Sequence, residues 1–353
     1  MKNTAVILTK DTLGSMAAKT AHGLLRFSDK YQIIGVLDEV QAGTTTKTCL
    51  HGCIPDLPVF GDIESICHLD AIPDYAIIGA AFAGGKLPDS WRPLLREVIS
   101  HGISIISGLH QFLSDDEELY QLAIASGAEL IDIRQPKPFN ELRFWSGEIL
   151  NLKLPRIGVL GIDCDTGKRT TARIITDTLR ENKVKAEMIY TGQTGFLQGH
   201  KYGFILDATP NDFVSGELER SILECAAKEN PEIIIIEGQS SLRNPSGPCG
   251  AELILSGGCQ HVILQHTPFR KDFDGFEGRA PLPTIQSEVK LIEAYGAAVI
   301  GIAINGEGMT IHAIASIKNS LAKYFNIPIF DPIHSGVEAL LPIIKKNVLK
   351  VKP

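Results

Sequence analysis

No apolar run in this sequence reaches the length needed to span a membrane. The first residues, Met1-Lys2-Asn3-Thr4, enter a short apolar strand and then Lys10-Asp11, with neither the h-region nor the cleavage site of a signal peptide. A cytoplasmic location is expected. Positive charge is nowhere concentrated. Lys and Arg are dispersed and the net charge is −7, which argues against nucleic acid or an anionic membrane as the main partner. A small-molecule substrate is expected instead, and any phosphate binding has to come from local geometry. Seven cysteines, an odd number in a chain of 353 residues, read as free thiols and not as a disulfide framework. Cys49-Leu50-His51-Gly52-Cys53 looks like a fragment of a metal site, but no second ligand pair sits at a suitable spacing, so no metal is expected there.

What the chain does have is length, glycine and alternation. A chain this long implies two domains, and the 33 glycines suit many tight strand–loop–helix junctions. Ala5–Thr9, a helical stretch over Ser15–Ser28 and Ile33–Leu37 form a βαβ unit. Asp38-Glu39 follows, where a Rossmann fold would hold a ribose, yet the first turn, Lys10 to Met16, lacks G-x-G-x-x-G. The reading is a Rossmann-like scaffold without a dinucleotide. Strands continue at Val59-Phe60, Tyr75–Gly79, Ile103–Ile106 and Glu129–Ile133, and Arg134–Trp145 reads as a linker that could also fold over a site. Beyond it, strands are expected at Ile157–Leu160, Ala186–Tyr190, Phe204–Leu206, Glu232–Ile236, His261–Gln265, Val299–Ile304 and Ile327–Asp331. The expected fold class is α/β with two doubly wound domains. Residues 1–150 form a Rossmann-like domain, and residues 151–353 form a P-loop NTPase-like domain with a mostly parallel sheet.

The P-loop expectation rests on Gly161-Ile162-Asp163-Cys164-Asp165-Thr166-Gly167-Lys168-Arg169-Thr170-Thr171, between an apolar strand and a helix over Ala172–Glu181. Backbone N–H groups of a tight loop and of a helix start converge on an anion, and a lysine at the loop's end reaches the terminal phosphates. The spacing departs from G-x-x-x-x-G-K-[ST]: five residues separate the glycines, and Arg169 stands where a magnesium-binding hydroxyl would be. That suits a ligand whose phosphates are held and not cleaved, with Thr170 the candidate hydroxyl one position late.

In a parallel sheet the residues just past strand ends share one edge. The expected gathering is the P-loop, Gly192-Gln193-Thr194-Gly195, Glu237, His266 and Asn305. Glu237 is placed like a Walker B carboxylate and, with Thr170 and Asp207, is a candidate Mg²⁺ ligand. Asp212 is a further candidate. Arg270, with Lys271 and Arg279, is a candidate clamp for a phosphate or carboxylate. Gln193 and Thr194 are candidate substrate contacts.

The loop Gly161 to Lys168 resembles the variant P-loop of dethiobiotin synthetase, Glu237-Gly238 resembles that family's metal-binding turn, and Asn305 its base-contacting asparagine. A resemblance over the whole chain is closer. Lys19-Thr20-Ala21-His22-Gly23, Ser107-Gly108-Leu109-His110, Phe144-Trp145-Ser146-Gly147, Asp163-Cys164 with Gly167-Lys168, Thr191-Gly192-Gln193-Thr194-Gly195 and Asp212-Phe213-Val214 resemble the D-glutamate N-acetyltransferase-like family. This resemblance implies a Rossmann-like domain joined to a P-loop domain, an acetyl-CoA donor and a D-amino acid acceptor. Attack by the acceptor needs a neutral amine and hence a general base. His266, Glu237 and His110 are the candidates, and Lys168 would serve the donor's phosphates with Gly161 through Thr171 and Asn305. Two other expectations stand beside it: a ligase or kinase-like enzyme using ATP and Mg²⁺, and a nucleotide-binding regulatory protein without turnover. A homo-oligomer is expected by analogy with other enzymes of this architecture.

Overall fold

The computed structural model describes residues 2–50, 54–69 and 71–350. His51, Gly52 and Cys53 of the metal-like fragment lie outside the described residues. The chain forms two compact units, Met1–Lys137 with Gln193–His200, and Pro138–Gly192 with Lys201–Pro353.

The first unit holds a six-stranded sheet: β1 (Asn3–Lys10), β2 (Tyr31–Asp38), β3 (Val59–Phe60), β4 (Tyr75–Ile78), β5 (Ser104–Ser107) and β6 (Leu130–Asp132). Their spatial order is β3-β2-β1-β4-β5-β6 and every pairing is parallel. That is the Rossmann order. The strand period of two splits the apolar residues between two cores. Val6 and Leu8 join Leu94, Leu95 and Val98 of the helix Arg92–Ser100 on one face. Ala5 and Ile7 join Ala21, Leu24 and Leu25 of the helix Lys19–Arg26 on the other. Asp38 does not stand free for a ribose. Its carboxylate is buried and accepts from the Thr9 hydroxyl (2.9 Å), the Leu13 amide (2.9 Å) and the Gln41 amide (3.0 Å), so it braces the turn after β1.

The second unit holds β7 (Arg156–Gly161), β8 (Ala186–Tyr190), β9 (Tyr202–Gly203), β10 (Ile233–Glu237), β11 (His261–His266), β12 (Ala298–Ile304) and β13 (Ile329–Phe330). Their order is β13-β12-β11-β7-β10-β8-β9, again with every pairing parallel. The central strands are buried on both faces, which is why Ile233–Ile236 reads as an unbroken β-branched run. Ile234, Ile236, Val262 and Leu264 pack with the helices Asn211–Glu229 and Ile285–Ala294. Ile233, Ile235, Ile157 and Val159 pack with the helix Lys168–Glu181. The strand expected at Phe204–Leu206 lies earlier, at Tyr202–Gly203, followed by a single 3-10 turn, Leu206–Ala208.

The units divide at 137/138, before the 150/151 boundary expected from the sequence, and the buried carboxylates of the helix Asn211–Glu229 supply the reason. Glu217 accepts from the Arg143 amide (3.0 Å), and Glu219 accepts from the Ser146 (2.6 Å) and Ile149 (3.1 Å) amides. Gly216 lets the Arg143–Phe144 backbone lie directly on this helix, since a Cβ at 216 would fall on the Arg143 carbonyl oxygen. Residues 138–145 of the segment read as a linker are thereby stitched to the second unit, while residues 134–137 belong to the first, so the division falls inside it.

The stretch after β8 runs the other way. Gln193–Gln198 is a helix, and it belongs to the first unit. Leu197 is buried with Leu24 and Leu25. The Gln198 side chain donates to the Gly23 carbonyl (2.8 Å), and the Gln198 carbonyl accepts from the Asp29 amide (2.8 Å).

Candidate functional site

The site builds from the end of β7. Gly167 has φ +99° and Asp165 φ +50°, so the loop reverses through two left-handed residues before the helix starts at Lys168. Glycine takes that conformation freely, whereas aspartate holds it under strain of the kind that collects at ligand sites. The helix is 14 residues long and its first internal backbone bond is Thr171 N to Gly167 O (3.0 Å). The N–H groups before that bond lack intrahelical partners and carry the positive end of the helix dipole. The Lys168 ammonium is buried. It donates to the Asp163 carbonyl (2.6 Å), lies 3.4 Å from the Thr166 hydroxyl, and burial lowers its pKa. A buried ammonium above a helix N-terminus attracts an anion.

The neighbours of β7 brace the loop. From β11, the Gln265 carbonyl accepts from the Ile162 amide (3.1 Å), and the Gln265 side-chain oxygen accepts from the Thr171 hydroxyl (2.6 Å). Thr171 is therefore committed to the scaffold, while Thr170, one residue earlier, is half-buried in the helix's first turn. Asp163 is wholly buried and accepts from Asn244 Nδ2 (3.0 Å), an Arg270 guanidinium nitrogen (2.6 Å) and the Asp274 amide (2.8 Å). The same Arg270 nitrogen donates to the Cys164 carbonyl (2.8 Å). Arg270, expected to clamp a ligand, is paired with the loop's own carboxylate. Cys164 Sγ lies 3.5 Å from the Ser240 hydroxyl, and Ser240 (φ +40°) is the left-handed residue of the loop after β10.

Glu237 ends β10, beside the loop as expected, and is buried. Its carboxylate accepts from the Thr191 amide (3.0 Å), its carbonyl accepts from the Thr191 hydroxyl (2.8 Å), and Gln239 Nε2 donates to that hydroxyl (3.0 Å). Burial raises its pKa, and the charge of half-buried Arg169 is the largest influence opposing this. Arg169 thus acts on the Glu237 side of the loop. Asp207 is exposed, on a 3-10 turn whose Leu206 amide donates to the Thr191 carbonyl (2.9 Å). Among the described residues no three His, Cys, Asp or Glu side chains gather as a metal cluster.

On the other flank, His266 ends β11 and Asn305 follows β12. The Asn305 amide donates to the His266 carbonyl (2.8 Å), the Asn305 side-chain oxygen accepts from the Glu307 amide (2.9 Å), and Asn305 Nδ2 reaches the Gly167 side of the loop. Burial pushes the His266 pKa down to about 4, so the ring is neutral at pH 7. His266 Nδ1 is buried with no hydrogen-bond partner among the described residues.

Of the residues expected on this edge, the loop, Glu237, His266 and Asn305 are brought together by the second sheet. Gln193, Thr194 and His110 belong to the first unit. There Gln193 packs against Gly108, and His110 is exposed, with its ring Nε2 3.2 Å from the Arg134 guanidinium. Asn244 and Gln265 were not singled out by sequence reasoning. The available signals were weak: an Asn-Pro turn for Asn244 and a lone polar residue near the end of an apolar strand for Gln265.

Comparison with known proteins agrees with this architecture. A family model described as a domain of unknown function, DUF1611_C P-loop domain, matches residues 143–341. A second, DUF1611_N Rossmann-like domain, matches residues 39–136. A Pseudoalteromonas protein named D-glutamate N-acetyltransferase is 30% identical over 308 residues, 85% of this chain and 86% of its own length. One of the same name from Tritonibacter scottomollicae is 27% identical, covering 75% of this chain and 79% of its own. The crystal structure of a DUF1611 family protein from Anabaena variabilis superposes with a TM-score of 0.89 at 25% identity, over 98% of this chain and all of that one. With a Rossmann-like unit, a P-loop unit and these matches over both, the chain belongs to the DUF1611 family.

Proposed function

We propose that this protein is an N-acetyltransferase that moves an acetyl group from acetyl-CoA to the amine of a D-amino acid, D-glutamate being the first acceptor to test. The observation that carries the reading is the 30% identity over 85% of the chain to a protein named for that activity. The site fits the donor. CoA carries a diphosphate and a 3′-phosphate, and the loop offers a helix N-terminus, the buried Lys168 ammonium and Arg169 in place of a magnesium-binding hydroxyl. Gly161 through Thr171 would hold the diphosphate, with Asn305 flanking it. Acetyl-CoA supplies the thioester. The acceptor's amine attacks the carbonyl carbon and gives a proton to a base, the C–S bond breaks, and the departing thiolate takes up that proton to leave as the free thiol. His266, at the end of β11 and neutral at pH 7, is the first candidate base in the second unit, although its unpartnered Nδ1 is buried. Glu237 is less suited, because backbone amides already occupy its carboxylate.

The test is thiol release by the purified protein from acetyl-CoA across paired D- and L-amino acids, with acetyl-CoA binding followed by calorimetry on wild type and Lys168→Ala. Release that depends on a D-amino acid, with binding weakened at least about tenfold in the variant, supports the proposal. Absence of both acetyl-CoA binding and thiol release sinks it. A second reading, an ATP-dependent ligase with Mg²⁺ near Thr170, Glu237 and Asp207, is favoured by the buried acid of Glu237 beside the loop. It requires Mg²⁺-dependent ATP binding and phosphate release in the same assay.

A further inference from the structure

Arg270 looks like a ligand clamp in the sequence, and the geometry gives it another task. Asp163 places a buried negative charge inside a loop whose N–H groups and lysine favour anions. Left alone, that carboxylate would repel a phosphate. Instead it receives three donors from two other segments. Arg270 and the Asp274 amide come from the loop after β11, and Asn244 comes from the loop after β10. The Arg270 side chain is 13% exposed, and its second bond, to the Cys164 carbonyl, fixes the loop backbone one residue on. One guanidinium therefore cancels the charge of Asp163 and sets the path of the Asp163–Cys164 backbone, drawing the segment around residues 270–274 against the loop.

We infer that Arg270 is a positioning residue of the anion site. It neutralises Asp163 and pins the 267–274 segment to the P-loop, so that the loop accepts a phosphate-bearing ligand, and it does not itself bind the ligand. The inference rests on the reading above, in which the loop holds the donor's phosphates. It assigns the pair a conditional effect. Removing Arg270 harms binding because Asp163 is then an uncompensated buried charge, so removing the charge of Asp163 as well relieves the harm.

The experiment compares full-length wild type, Arg270→Gln, Asp163→Asn and the double variant. Acetyl-CoA is the calorimetric probe, kcat and KM are measured for acetyl-CoA, and amide hydrogen exchange is followed over residues 267–276. Arg270→Gln is expected to weaken acetyl-CoA binding about 10- to 100-fold, appearing in KM with kcat held within about threefold. The double variant is expected to recover to within about threefold of Asp163→Asn. Exchange at the Asp274 amide is expected to accelerate in each variant. A double variant as weak as Arg270→Gln would show that the guanidinium contacts the ligand and would overturn the inference. Unchanged exchange around Asp274 in Arg270→Gln would overturn it too. Should wild type bind no acetyl-CoA, the donor reading fails by itself and the exchange measurement alone decides the clamp.

Discussion

The Thr171 hydroxyl donates to the Gln265 side-chain oxygen at 2.6 Å, joining the first turn of the P-loop helix to the end of β11. Both side chains are buried. Since Ile162 N also bonds the Gln265 carbonyl, a single residue of β11 fixes the entry and the exit of the loop. Thr171→Val keeps the shape and removes the donor, leaving the Gln265 oxygen unsatisfied at a cost of about 1–3 kcal/mol. Thermal denaturation should show a fall in Tm of roughly 1–4 °C for a chain of this size. Ligand affinity should fall with it, because the helix start is no longer held. Unchanged stability would mean the bond contributes nothing net.

The pH behaviour follows from His266. Its folded pKa, about 4, lies below the ordinary histidine value of 6.5. The unfolded chain therefore binds more protons between those values, and folding stability falls as pH drops from about 6.5 towards 4. A His266→Gln variant lacks that contribution to the slope, which denaturant titrations at several pH values would reveal. If His266 is the base, the acid limb of kcat/KM lies near pH 4 instead of 6–7, and His266→Gln lowers kcat by about 10²–10⁴. A limb at 6–7 that persists in the variant would exclude His266 from that role.

Much of the P-loop was legible in the sequence, because its chemistry is local. Gly161, Gly167 and Lys168 lie within eight residues, and strand and helix patterns flank them. Both parallel sheets were legible for a similar reason: a strand buried on both faces needs an apolar run, as in Ile233–Ile236. The partner of Asp163 was not legible, since Arg270 lies 107 residues away and sequence spacing carries no information on that pairing. The helix Gln193–Gln198 was not legible for another reason. Its Gly and Thr content favours a loop, and the burial of Leu197 against Leu24 and Leu25 outweighs that propensity. The linker reading of Arg134–Trp145 holds in that the division between the units falls inside it, but its anchoring was not legible, because Glu217, the acceptor for the Arg143 amide, sits on a helix 74 residues on.

Leu197 supplies a test of that assignment. It is 1% exposed within the core that also holds Ala21, Leu24 and Leu25. Leu197→Ala should destabilise the first unit by about 2–5 kcal/mol through lost burial and the cavity left behind. Hydrogen exchange should localise the loss to the helix Lys19–Arg26 and to the segment around Gln198. Loss of protection confined to 193–200 would mean that the helix Lys19–Arg26 does not depend on it.

Gly216 offers a prediction of sign. In the interior of an ordinary exposed helix, replacing Gly by Ala stabilises by about 1 kcal/mol, because alanine has the higher helix propensity. Gly216 sits in the helix Asn211–Glu229, is buried and has a negative φ, so the backbone itself would accept alanine without strain. The obstacle is the stitched segment: the added methyl would fall on the Arg143 carbonyl oxygen and within 2.6 Å of the Arg143 and Phe144 carbonyl carbons. These are backbone atoms, held in place by the Glu217 and Glu219 carboxylates, so the methyl cannot be accommodated by a rotamer change. Gly216→Ala should therefore destabilise, by roughly 1–3 kcal/mol as for other overpacked sites. It should also raise the proteolytic sensitivity of residues 138–151. The control is Glu219→Ala in the same background. With the segment already loosened, adding Gly216→Ala should cost much less than it does alone, giving a positive coupling in the double-mutant cycle. A stabilising Gly216→Ala, or two strictly additive losses, would show that the segment does not bear on the helix at this point.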